Sequence, residues 1–88
     1  MSYQFTFTER FQKHYQALTS LEKKLLRKKL ELLAENPSYP SLRTKRIQGT
    51  DKLYECSVNM DIRMIWYYEG NTMIIIVDVG HHDILRQF

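Results

Sequence analysis

Lys45, Arg46, Glu55, Ser57, Asp61, Arg63 and His82 form a polar set across the second half of the chain, in stretches that otherwise alternate with apolar residues. Between them they supply what proton transfer at an anionic centre needs. An imidazole with an ordinary pKa near 6.5 can accept or donate a proton near neutrality, carboxylates can orient that ring or exchange protons themselves, and cations can hold a phosphate. Glu55 and Ser57 share parity on one strand, and Arg63 alternates with Ile62 and Met64 on the next, so neighbouring strands could bring these groups together. Arg63 has two readings, a cation paired with Glu55 or snorkelling at a strand start, and a cation free for an anionic ligand. His82 likewise reads as an exposed strand-end histidine beside Asp83 or as an acid-base group. His81 and His82 are adjacent and point to opposite sides of an extended backbone, which makes them poor chelators of one ion.

Other chemistries find little support. Three glycines leave no phosphate-cradling loop. The lone Cys56 has no partner for an internal disulfide or a zinc site, in keeping with a reducing cytoplasm, the expected location. The start MSYQFTFTER lacks a basic stretch followed by a long apolar one, so no secretory signal is expected. No apolar run nears the roughly 20 residues of a membrane-spanning helix. A net charge of +3 is weakly basic, and its distribution says more than its size. Lys23, Lys24, Arg27, Lys28 and Lys29 fit a solvated helix face, whereas Arg43, Lys45 and Arg46 are the better candidates for touching phosphate.

Eighty-eight residues, 43% of them hydrophobic, allow one domain over 1–88. Tyr3, Phe5 and Phe7 alternate as in a strand. From Thr8, a plausible N-cap, Phe11, Tyr15 and Leu18 follow helical spacing, with His14 beside that stripe as an ordinary surface residue. Thr19 and Glu22 have capping-box spacing and open a second helix that Asn36 and Pro37 close. Its leucines form a broad band suited to packing on a sheet, too short and two-sided for a zipper. After the connector 37–41, strands are expected at Leu42 to Ile47, Leu53 to Val58, Ile62 to Tyr68 and Met73 to Val79, with turns at 49–51, 59–61 and 69–71. The last strand is nearly continuously apolar and should lie centrally in the sheet. The expected fold is α+β: a strand, a helical hairpin and an antiparallel meander, with helices on one sheet face and the other partly open.

The order LRTKRIQG, LYECSVNMDIRMIWYYEGN and IIIVDVGHHDIL resembles the RelE/ParE superfamily of bacterial toxins from type II toxin-antitoxin modules, over essentially the whole chain. The most specific parts are Arg63 to Trp66 and the Gly-x-His element at Gly80 to His82, and the pattern is most similar to the RelE/YafQ branch. That resemblance implies a ribosome-dependent mRNA endoribonuclease, or mRNA interferase, working by attack of a ribose 2′-hydroxyl on the neighbouring phosphate without metal or other cofactor. Its partners would be a cognate antitoxin, the ribosome and mRNA. Position by position, the resemblance assigns Arg63 to the scissile phosphate and His82 to proton transfer. Glu55 and Asp61 become orienting or acid-base carboxylates, Lys45 and Arg46 cations for the RNA, and Phe88 an aromatic that stacks on a base or docks the antitoxin. Ser57 stands where the YafQ-type pattern has a second histidine, and LYECSV carries no counterpart of RelE's lysine pair. The resemblance also implies two other functions: a ParE-like inhibitor of DNA gyrase, and a non-catalytic homologue that only binds antitoxin.

Overall fold

The computed structural model describes residues 2–88, apart from the side chain of His82. Strand β1 (Gln4–Phe7) is followed by helix α1 (Glu9–Gln16), helix α2 (Ser20–Glu35), and strands β2 (Lys45–Arg46), β3 (Tyr54–Ser57), β4 (Ile62–Glu69) and β5 (Met73–His81). Short 3-10 segments lie at Pro40–Leu42 and His82–Gln87. The five strands form one sheet in the order β1-β5-β4-β3-β2. β2 to β5 make the expected antiparallel meander, and β1 joins parallel to β5, pairing Gln4 with Met73 and Phe7 with Ile76. That pairing makes the sheet mixed and puts the apolar β5 between two neighbours, as its composition requires.

Both helices start where the sequence says. The Thr8 hydroxyl accepts from Phe11 N–H, and Thr19 with Glu22 closes a reciprocal capping box, a device that stabilises a helix start by about 1 kcal/mol. Leu26 and Leu33 of α2 and Phe11 of α1 pack on Cys56, Met64, Trp66, Ile74, Ile76 and Val79 from one sheet face. The alternate residues Ile65 and Val77 lie on the opposite face with Ile47, Leu53, Ile84, Leu85 and Phe88. The expected open face is thus partly roofed by the C-terminal 3-10 segment. Gly80 permits this close return: a Cβ there would stand 3.3 Å from Ile84 Cδ1.

One strand departs from expectation. Leu42 to Ile47 was expected to be extended throughout, but only Lys45 and Arg46 pair with β3. Pro40 at the first position of a 3-10 turn starts that segment as a helix. Arg43 then reverses the chain in the left-handed region, at φ 51° and ψ 46°. No helix among the described residues is long and apolar enough to cross a membrane.

Candidate functional site

Antiparallel pairing of β2, β3 and β4 assembles most of the polar set. Lys45 lies opposite Glu55, and Ser57 opposite Arg63. Because side chains alternate along each strand, Lys45, Glu55, Ser57 and Arg63 emerge on one sheet face while Tyr54, Cys56, Met64 and Trp66 enter the other. They line an open cavity of about 270 Å³, together with Arg43 and Leu85. Leu85 comes from the C-terminal 3-10 segment, so the roof of the sheet forms one wall.

Glu55 is 6% exposed, one of two buried charged residues among those described. Arg63 Nε stands 4.0 Å from its Oε1. The Arg63 guanidinium is also anchored from behind: one terminal nitrogen, Nη1, donates to the carbonyls of Asn59 (2.9 Å), Met60 (3.2 Å) and Ile62 (3.2 Å). The first two carbonyls belong to the β3–β4 turn and the third to the first residue of β4; the Asn59 side chain organises the turn by accepting from the N–H groups of Asp61 and Ile62. Arg63 is therefore held in one orientation by its local turn, and its second terminal nitrogen is not engaged by those three carbonyls. This combines the two sequence readings: the arginine is paired with Glu55 and still faces a cavity.

The remaining candidates fall elsewhere. Asp61 is exposed in the β3–β4 turn and does not line the cavity; its contribution is to the turn that holds Arg63. Arg46 has the opposite parity to Lys45, lies opposite Tyr54, and donates to the carbonyls of Thr50 and Asp51. Phe88 packs into the apolar cluster under the C-terminal segment, with the Arg10 guanidinium 5.1 Å from its ring centroid. His82 opens that segment, two residues beyond Gly80, the register partner of Arg63; its side chain lies outside the described residues. His81 is exposed.

Arg43, expected from the sequence among the phosphate-binding cations, joins the cavity although the strand expected there does not extend to it. Sequence reasoning missed a cluster around Asp78, which is wholly buried. Asp78 Oδ1 is 2.5 Å from His14 Nδ1 and accepts from Val79 N–H, while Oδ2 is 2.7 Å from Arg10 Nε. His14 is thus tied to the sheet, which its helix-surface position did not suggest. A buried carboxylate among isoleucines and valines was the signal available in VDVG.

Burial pushes the Cys56 thiol up to about 12, leaving no thiolate nucleophile at neutral pH. Burial also raises Tyr68, with Tyr3 and Tyr54 adding to the effect. No group of three or more metal-ligating side chains converges among the described residues.

Residues 5–85 match a family model described as "ParE toxin of type II toxin-antitoxin system, parDE". A comparison with curated protein sequences found no match. Among solved structures, a free-state mutant of the E. coli toxin RelE superposes with a TM-score of 0.77 at 21% identity, covering 99% of this chain and 93% of the other. The E. coli DinJ-YafQ toxin-antitoxin complex gives 0.78 at 16%, covering 97% and 98%. The YoeB/ParE toxin from Agrobacterium tumefaciens gives 0.78 at 10%, covering 90% and 98%. At such identities the likeness establishes the fold.

Proposed function

Since the chain belongs to the ParE toxin family of type II toxin-antitoxin systems, we propose that it acts as an mRNA interferase, cutting translated message on the ribosome. The observation that carries this reading is a nearly buried carboxylate, Glu55, set beside an immobilised arginine in a cavity that two further cations, Arg43 and Lys45, also line. A purely structural ion pair has no need of the extra cations. A phosphodiester has: the oxygens on its reacting phosphorus gain negative charge in the transition state, and fixed cations are worth most when already oriented.

In this reading an RNA phosphate sits against Arg63, with Lys45 and Arg43 at its non-bridging oxygens. Glu55 takes the proton of the adjacent ribose 2′-hydroxyl. The 2′-oxygen then forms a bond to phosphorus while the bond to the 5′-oxygen breaks. The 5′-oxygen takes a proton, a step for which His82 remains the proposed donor. The products are a 2′,3′-cyclic phosphate and a 5′-hydroxyl end, and the cations stabilise the charge between them. Asp61 acts through the turn that positions Arg63. The chain's own antitoxin is its expected partner, as RelB and DinJ are for the toxins in the complexes it resembles.

A second reading follows from the family description itself, which names ParE toxins: action on DNA gyrase by binding, without RNA cleavage. Controlled expression in bacteria with mapping of RNA 5′ ends separates the two. The interferase reading requires new 5′-hydroxyl ends within translated codons that disappear in Glu55→Gln and Arg63→Ala. Intact messages together with a DNA-damage response would replace it with the gyrase reading.

A further inference from the structure

Next to the Glu55–Arg63 cavity, across the β2 edge, lies a larger cleft of about 470 Å³ lined by Ser38, Tyr39, Pro40, Thr44 and Tyr54 together with Arg43, Lys45 and Arg46. The two share Arg43 and Lys45. Lys45 reaches both because β2 is a two-residue edge strand. Arg43 reaches both because its backbone is left-handed, the one non-glycine residue with positive φ among those described. That conformation costs an L-residue roughly 1 to 2 kcal/mol, and such strain persists where the surrounding structure over-determines it, commonly at binding sites.

The far wall of the cleft is an aromatic platform. Tyr39 is 44% exposed, yet its loop is firmly tied. Tyr39 N–H donates to Asn36 O, Leu42 N–H to Tyr39 O, and the Thr44 hydroxyl to Pro37 O at 2.7 Å. Tyr54, by contrast, is spent on internal packing, stacked on Trp66 with centroids 4.8 Å apart. Arg46 is aimed by the carbonyls of Thr50 and Asp51. A pre-ordered exposed ring flanked by three cations has the chemistry of single-stranded nucleic acid recognition, in which bases stack on aromatics and phosphates follow the positive charge.

We propose that this cleft is a second RNA subsite, continuous with the first, in which Tyr39 stacks a base one or more nucleotides from the cut while Arg46 holds the intervening phosphate and Arg43 joins the two subsites. The inference rests on the interferase reading for the choice of RNA. It adds a specificity element lying outside the reacting centre, and it explains why the α2–β2 connection spends energy on a left-handed arginine.

The test uses fluorescent 2′-O-methyl oligoribonucleotides, which cannot be cut by 2′-oxygen attack, in a length series of two to seven nucleotides. Binding to the purified chain is followed by anisotropy. Affinity should rise stepwise once the strand is long enough to span both cavities. Tyr39→Ala should then weaken the long strand roughly 5- to 100-fold, from the known range of base–aromatic stacking, and leave the dinucleotide unchanged, while Tyr39→Phe restores binding. Arg43→Ala should lower the dependence of log affinity on log salt by about 0.7, one single-strand phosphate. Arg63→Ala should weaken both lengths. Loss on Arg63→Ala with no effect of Tyr39→Ala at any length overturns the second subsite and leaves the interferase reading standing. Indifference to both variants, or no binding of the long strand to the wild-type chain, overturns the subsite and removes support from the reading beneath it.

Discussion

The cluster of Arg10, His14 and Asp78 should behave as a buried charge with two replaceable partners, and this gives a non-additive stability pattern. Asp78 has no exposed surface, whereas the Arg10 and His14 side chains are 43% and 42% exposed. Removing either partner alone leaves the carboxylate with the other and with the Val79 N–H. Each single change should cost about 1 kcal/mol, Arg10→Ala as a half-exposed ion pair and His14→Ala as a hydrogen bond with one partner in solvent. Removing both leaves a buried, unpaired carboxylate, for which the cost is about 3 to 5 kcal/mol, well above the sum of the singles. In the double variant, adding Asp78→Asn should recover about 1 to 2 kcal/mol, because the charge that no longer has a partner is gone. Urea unfolding followed by circular dichroism measures the wild-type chain and all four variants, and the midpoints give the coupling if the slopes agree. Additive single effects, or no recovery with Asp78→Asn, would refute the argument that an uncompensated charge sets the cost.

Other outcomes follow from particular contacts. Arg43→Gly should stabilise the fold by about 0.5 to 1 kcal/mol by releasing left-handed strain, with thermal melting as the check, while weakening oligonucleotide binding. Gly80→Ala should cost about 1 kcal/mol through crowding of Ile84; combining it with Ile84→Val, which removes the Cδ1 a new methyl would meet, should return most of that loss in the same melt. Cys56 should resist iodoacetamide at pH 8 in the folded chain and react readily in guanidinium. Its raised value also has a sign: the neutral thiol is favoured in the fold, so stability is intact below pH 9 and falls by up to about 1.4 kcal/mol per pH unit as pH climbs from 9 towards 12. In Cys56→Ser, a smaller loss over that window is the expected result of a pH series of urea melts.

Much of the architecture was legible because its signals are local. Thr8 and Thr19 mark helix starts through side chains that bond their own first turn. The alternation in LYECSV and IRMIWYY marks strands through burial of every second residue. Those same parities placed Glu55 with Ser57 on one side of their strand and Arg63 on the side away from Ile62 and Met64, and the Gly70 turn, with φ at 65°, set the β4–β5 hairpin. The Leu42 to Ile47 strand failed because Pro40 and the left-handed Arg43 act on backbone geometry that hydrophobic pattern does not register.

What the sequence alone determined is therefore the list of elements, the sides on which their residues fall, and an inventory of groups able to bind phosphate and move protons. Tertiary structure decided which of them meet. Register across β2, β3 and β4 joined Lys45, Glu55 and Arg63 and left Arg46 facing the other way. The β3–β4 turn fixed the arginine through backbone carbonyls that no side-chain pattern encodes. Parallel docking of β1 beside β5 carried α1 to a buried aspartate 64 residues away from His14. These are long-range pairings, chosen by the collective burial of the core, and pairwise proximity of that kind is absent from any local stretch of sequence.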